Sequence, residues 1–241
     1  MPDEGVVDRE RRVLVIDTAT SAVVTGLAVV SGDGTVAEAG SRIVADDRRH
    51  AETLTTLMRE CLAETGWHGT DLDAVVVGCG PGPFTGLRVG MATAAAYGDA
   101  LRIPVYGVCT LDALAGTVSR DVDARSLVVV TDARRREVYW ARYVDGKRVD
   151  GPGVLAPAAL AQQLADETTD LVAGVPSMLP EVGERIVDAT PDVVGLAAVA
   201  AEDVLAAAVP EPLVPLYLRR PDAVELADQK KHAARKKRVA R

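Results

Sequence analysis

Cysteine, aromatic residues, histidine and long apolar runs are all scarce in this chain of 241 residues. The three cysteines, Cys61, Cys79 and Cys109, are odd in number and scattered, which suits reduced thiols in a cytoplasmic protein and not a disulfide frame. Two Trp, five Tyr and one Phe are too few for a base-stacking platform. Uncharged apolar stretches such as Ser126–Thr131 fall far short of the ~20 residues that a membrane span needs, and Met1–Arg12 has no apolar core of a signal peptide. His50, His68 and His232 stand far apart, and none has a His, Cys or acidic partner four residues on, so no metal site is expected. There is no Gly-x-Ser-x-Gly elbow, and no cysteine has an identifiable His neighbour to activate it.

What is present is an ordinary globular composition, 48% apolar and 26% charged, enough to bury a sizeable core. The net charge of −8 is uneven. Residues 230–241 hold seven Lys/Arg and no acid, leaving about −15 on residues 1–229. A body of that sign repels a phosphate backbone, so the chain is not expected to bind nucleic acid by itself. The tail reads as a solvated extension.

Val13–Asp17 is a continuous apolar run, as in a strand covered on both faces. Ala22–Val30 and Val36–Val44 follow across short turns, making a meander. A helix is expected over His50–Thr65, with Leu54, Leu57, Met58, Cys61 and Leu62 at helical spacing and Gly66 as its cap. Then come a strand at Ala74–Val77, a helix reaching Leu101, a strand at Pro104–Val108 and a helix over Thr110–Val118. The pattern restarts at Leu127–Thr131 and Glu137–Val144, each copy's first strand ending in an aspartate (Asp17, Asp132). A short strand at Arg148–Val149, a helix over Pro157–Asp166, a strand at Leu171–Val175 and a helix over Leu196–Ala208 complete it. This is a duplicated β-β-β-α-β-α unit with a degenerate second copy. The expected organisation is an extension (1–12), a first lobe (13–109), a second lobe (110–221) and a basic tail (222–241). Pro210–Pro221, with four prolines, is expected to run extended as a strap.

Two stretches invite a chemical reading. Gly80-Pro-Gly-Pro-Phe-Thr-Gly86 sits between a strand and a helix, where glycine-rich turns cradle phosphate. It lacks a Gly-Lys-Ser/Thr ending, its glycine spacing misses the dinucleotide fingerprint, and Pro81 and Pro83 remove two donors, so a rigid corner fits it better. Asp17 and Asp132 stand where two-lobed nucleotide-binding folds place carboxylates facing magnesium and phosphate. Asp17-Thr-Ala-Thr-Ser21 has the small residues such a cleft needs; Asp132-Ala-Arg-Arg-Arg136 does not.

The helix after the glycine-rich stretch carries Gly86, Gly90, Ala94 and Gly98 in one stripe, with little charge elsewhere. Glycine inside a helix costs about 1 kcal/mol relative to alanine, so close backbone approach is expected there. With the His50–Thr65 helix it reads either as a face for another chain or as a surface covered by the second lobe.

Val15-Ile-Asp-Thr-Ala-Thr20, Arg49-His-Ala-Glu52, Gly78-Cys-Gly-Pro-Gly-Pro-Phe-Thr-Gly-Leu-Arg-Val-Gly90, Val108-Cys-Thr-Leu-Asp-Ala-Leu-Ala115 and Pro215-Leu-Tyr-Leu-Arg219 together resemble the bacterial TsaB family, over roughly Val13 to Asp222. The resemblance implies an actin/Hsp70-like (ASKHA) two-lobed α/β fold and a non-catalytic paralogue of TsaD. The implied role is to pair with TsaD through the first two helices and, with the ATPase TsaE, to support threonylcarbamoyl transfer to the adenosine beside the anticodon of ANN-decoding tRNAs. TsaD's metal-binding His-x-x-x-His falls on Thr110 and Leu114 here, and its late nucleotide loop has no counterpart, so neither metal nor cofactor is expected. Expected partner contacts are Leu54, Thr55, Met58, Arg88, Met91 and Ala95, with Asp17 and Asp132 as vestigial cleft positions. Alone, the chain either self-associates through the same face or stays monomeric, and it is expected to meet tRNA only within the complex. The rival reading is an independent ATPase or glycoprotease-like metallopeptidase acting through Asp17 and Asp132.

Overall fold

Two apolar strands of similar length, each feeding an antiparallel meander, nucleate two sheets of the same topology. The computed structural model describes residues 10–45, 50–179, 182–183 and 185–219. The first sheet is formed by β1 (Arg11–Asp17), β2 (Ala22–Val30), β3 (Val36–Ala45), β4 (Ala74–Gly78) and β5 (Val105–Val108), in the order β3-β2-β1-β4-β5. The second is formed by β6 (Ser126–Asp132), β7 (Val138–Val144), β8 (Lys147–Leu155), β9 (Leu171–Gly174) and β10 (Arg185–Asp188), in the order β10-β9-β6-β7-β8. Read from the opposite edge, the two orders coincide. The duplication is therefore real, and the fold is the two-lobed actin/Hsp70-like α/β architecture.

Helices α1 (His50–Thr65) and α2 (Phe84–Leu101) cover one face of the first sheet, over Leu14, Ile16, Leu27, Val75 and Val77. Its other face is covered from far along the chain, by α5 (Val193–Val199) and α6 (Ala201–Ala206), whose Val193, Leu196 and Val204 pack on Val13, Val15 and Val24. In exchange, α3 (Thr110–Ser119) puts Leu111, Leu114 and Val118 onto Val129, Tyr139 and Leu171 of the second sheet. Helix α4 (Pro157–Gln163) covers the remaining face with Leu160. Helices α5 and α6 thus cross to the first sheet, although they fall within residues 110–221.

Four local expectations are corrected. Strand β1 begins at Arg11, two residues inside the expected 1–12 extension, because Arg11 pairs with Asp73 at 3.3 Å and the Arg12 amide donates to the same carboxylate. Strand β8 runs nine residues, not two, because Gly151-Pro152-Gly153 lies on a sheet edge, where proline is tolerated, and Gly153 leaves room for the Trp140 indole. Strand β10 has no counterpart in the pattern reading; it is four residues long and largely exposed. The final helix starts early, capped by Asp192 on the Gly195 amide at 2.7 Å, and breaks at Ala200. Between β9 and β10, where the first copy has α2, only a 3₁₀ turn at Pro176–Met178 occurs. The basic tail, Pro221 and the His50 side chain lie outside the described residues.

Candidate functional site

The turn after β1 is built inward. Asp17 is fully buried; Thr110 Oγ1 donates to its Oδ2 at 2.6 Å and the Ala19 amide to its Oδ1 at 2.7 Å. Gly78, at the end of β4, leaves the space this carboxylate occupies, since a Cβ there would overlap Asp17 Oδ2. Burial pushes the Asp17 carboxyl up to about 6, against the two hydrogen bonds that favour its charged form. The resemblance sets TsaD's metal ligands on Thr110 and Leu114. Here Thr110 spends its hydroxyl on Asp17, and Leu114 is buried in the second core. Among the described residues, no three His, Cys, Asp or Glu side chains gather as a metal site.

The glycine-rich corner closes over the same turn. A Cβ on Gly82 would collide with the Ala19 carbonyl, and one on Gly86 with that of Thr18. Thr18 Oγ1 donates to Gly86 O at 2.7 Å and accepts from the Gly90 amide at 3.0 Å. The glycine stripe of α2 therefore serves close approach within the lobe, not between chains.

The corresponding turn of the second lobe is built outward. Asp132 is part-exposed; its Oδ1 accepts the Arg134 amide at 2.7 Å, and Arg134 Nη1 lies 3.3 Å from its Oδ2. Arg134, Arg135 and Arg136 are exposed, and all three have left-handed backbones, with φ of 62°, 52° and 63°. That conformation costs an L-residue about 1–2 kcal/mol, and glycine or asparagine would bear it more cheaply. Between the lobes a cavity of about 260 Å³ is lined by Thr20, Ser21, Thr131, Asp132, Arg134 and Thr190 among others. Asp17 does not line it. The structure thus separates the two aspartates that the sequence reading pairs across a cleft.

The six expected contact residues divide. Leu54, Met58 and Met91 are buried in the chain's own first core, whereas Thr55, Arg88 and Ala95 are exposed. Apolar periodicity marks the face turned inward; the surface face lies on the other side of each helix. On α2 that face carries Thr85, Arg88, Ala92, Ala95, Ala96, Asp99 and Ala100, so it is small, flat and nearly uncharged over its middle. On α1 it carries Thr55, Thr56, Arg59, Glu60, Ala63 and Glu64.

Sequence reasoning missed the cluster at the start of α2. Phe84 and Tyr217 stack at 5.0 Å between centroids, Arg88 lies 3.9 Å over the Phe84 ring, and its Nε donates to Tyr217 Oη at 2.8 Å. Tyr217 belongs to the strap, which crosses both lobes. Leu213 packs on the first core, the Leu216 amide donates to Cys79 O at 2.9 Å, and Leu218 joins the second-lobe core. Arg219 then pairs with Glu137 at 3.2 Å and donates to Ala133 O at 2.6 Å. The available signal was Tyr217 and Arg219 amid prolines: an aromatic and a cation where a linker needs neither.

Fold and site define a class: a two-lobed actin/Hsp70-like protein whose first-lobe carboxylate is sealed in the core. A family model described as TsaD, tRNA N6-adenosine threonylcarbamoyltransferase, matches residues 43–214. An uncharacterized protein of Mycobacterium tuberculosis H37Rv is 53% identical over 221 residues, 89% of this chain and 95% of that one. The Escherichia coli K12 tRNA threonylcarbamoyladenosine biosynthesis protein TsaB is 32% identical over 163 residues, 68% of each chain. YeaZ from Pseudomonas aeruginosa superimposes with a TM-score of 0.71 at 27% identity, covering 86% of this chain and all of that one. The chain belongs to the TsaB family. Among the described residues, no helix is long and apolar enough to cross a membrane.

Proposed function

We propose that this chain is a cytoplasmic, non-catalytic subunit of tRNA threonylcarbamoyladenosine biosynthesis. It docks on TsaD and, with TsaE, supports transfer of threonylcarbamoyl to the adenosine beside the anticodon of ANN-decoding tRNAs. The observation that carries this reading is the contrast within the first lobe. Its one cleft carboxylate is buried beneath Gly78 and Thr110, while the outer face of α2 is alanine-rich and uncharged between Arg88 and Asp99. A buried carboxylate cannot face a magnesium-phosphate group without the lobe coming apart. A small, uncharged helical face, by contrast, lets a partner helix approach closely. Residues 13–109 are the docking lobe in this reading, and 110–221 the second lobe. In the absence of TsaD, the same face pairs two copies of the chain.

The experiment is co-purification with TsaD. Ala95→Arg, on the exposed face, is expected to abolish both the 1:1 complex and self-association and to leave the circular dichroism of the free chain unchanged. Persistence of the complex removes α2 from the interface. Calorimetric titration of the isolated chain with Mg-ATP and with zinc is expected to give no binding. Submillimolar binding of either would favour an independent ATPase or metallopeptidase.

A further inference from the structure

The left-handed turn Arg134–Arg136 has no role in docking through the first two helices. It lies in the second lobe, away from the face on α1 and α2. Three consecutive arginines there all carry positive φ, at positions where a smaller residue relieves the backbone, so backbone ease does not account for arginine. All three side chains are exposed at the hairpin end, Arg134 beside Asp132 at the cavity between the lobes. The hairpin is held by Ala133 N to Glu137 O at 3.0 Å and Glu137 N to Arg134 O at 3.0 Å, and the strap braces it through Arg219 on Ala133 O.

A second cluster lies along the same strap. Tyr217 and Arg219 are two residues apart, after tight backbone turns from Tyr217 N to Pro215 O and from Leu218 N to Leu216 O. Tyr217 completes the stack with Phe84 and Arg88, both rings being partly exposed (41% and 37%). The Arg88 guanidinium is held by a phenol and a ring face, not by a carboxylate. Next to the cavity's hydroxyls, Thr131 Oγ1 is buried and, among the described residues, has no hydrogen-bond partner. Cations and aromatic faces thus form a strip across the lobe junction of an otherwise acidic body.

We propose that this strip, with Arg135 and Arg136 at its head, contacts the ribose-phosphate backbone of the RNA handled by the assembled complex. Arginine on an exposed turn reads phosphate without reading sequence, and a partly exposed aromatic pair accepts an unstacked base. The inference rests on the proposed partnership, because the free chain repels a polyanion.

The test uses the full chain assembled with TsaD and measures tRNA affinity against salt. The variants are Arg135→Asn with Arg136→Asn, since asparagine tolerates the left-handed backbone, and the pair replaced by lysine. The asparagine pair is expected to form the TsaD complex normally and to lose several-fold in tRNA affinity. Its log–log salt slope should fall by about 1.4 to 1.8, two contacts at 0.7 to 0.9 each. The lysine pair is expected to keep affinity and slope. An unchanged slope in the asparagine pair overturns the RNA contact, as does loss of TsaD binding in that variant, which would make the turn a protein contact. Failure of the unaltered chain to bind TsaD overturns the partnership itself, a separable outcome.

Discussion

The two lobes share a strand order but treat the aspartate that ends their first strand in opposite ways, and the register explains why. In the first lobe Ile16 lies beside Val77, one residue before the end of β4, so Asp17 meets Gly78 and is enclosed. In the second lobe Val130 already lies beside Gly174, the last residue of β9, so Asp132 falls two residues beyond and reaches solvent. The segments that succeed these strands reinforce the difference. The first copy continues into a corner and α2, which press on the Asp17 turn through Gly82, Gly86 and Gly90. The second has only a 3₁₀ turn there, and its hairpin projects with three arginines. A duplicated scaffold thus sets two equivalent carboxylates in different surroundings: one walled in, the other beside a neighbouring guanidinium.

Substitutions matched across this divide test it. The largest effect is expected from Met91→Arg, which buries an unpaired guanidinium in the first core. It should cost upwards of about 4 kcal/mol and lower the melting temperature by about 10 °C or more, whereas Ala95→Arg one turn on should change stability by less than about 0.5 kcal/mol. Thermal unfolding of the two variants side by side settles which face is inward.

Next is Asp17→Asn. With its folded value raised from 3.8 to about 6, Asp17 binds its proton more tightly when folded. The native chain should therefore be most stable below pH 4 as far as this group is concerned, and lose stability as pH rises through 6, by on the order of 3 kcal/mol. The asparagine variant should flatten that slope in urea titrations between pH 4 and 7.5. An unaltered slope in Asp17→Asn would mean the carboxylate is not enclosed.

A smaller contrast separates two glycines. Gly82→Ala pushes a methyl into the Ala19 carbonyl and should cost about 2 kcal/mol. Gly146→Ala meets open space, its φ of 73° being the only objection, and should cost about 1 kcal/mol. Thermal melts of the pair rank them. The smallest effect is expected from Arg219→Ala. It removes a partly exposed ion pair and one hydrogen bond to Ala133 O, about 1 kcal/mol in all. It should raise hydrogen exchange along the strap more than in either sheet.

Much of this was legible in the residues alone. The apolar runs at Val13–Asp17 and Leu127–Thr131 and the spacing of α1 and α2 announce strands and helices, because burial on one face imposes a period on the order of residues. Edge elements were less visible. Strands β8 and β10 carry glycine, proline or exposed residues, and their pairing is decided by the neighbouring strand. Leu54, Met58 and Met91 were assigned to an interface because an apolar stripe looks the same whether its cover comes from the same chain or another. Arg88 was expected to face a partner, but its meeting with Phe84 and Tyr217 was missed because the contact with Tyr217 spans 129 residues of chain.

Local sequence determined the secondary structure, the internal repeat and the family, since each depends on residues near one another along the chain. Tertiary structure alone decided that Asp17 is enclosed while Asp132 is not, that α5 and α6 cover the sheet of the other lobe, and that the strap ties Arg88 to Tyr217. Those outcomes turn on strand register and on which surfaces are brought within van der Waals reach, quantities that no short window of sequence contains.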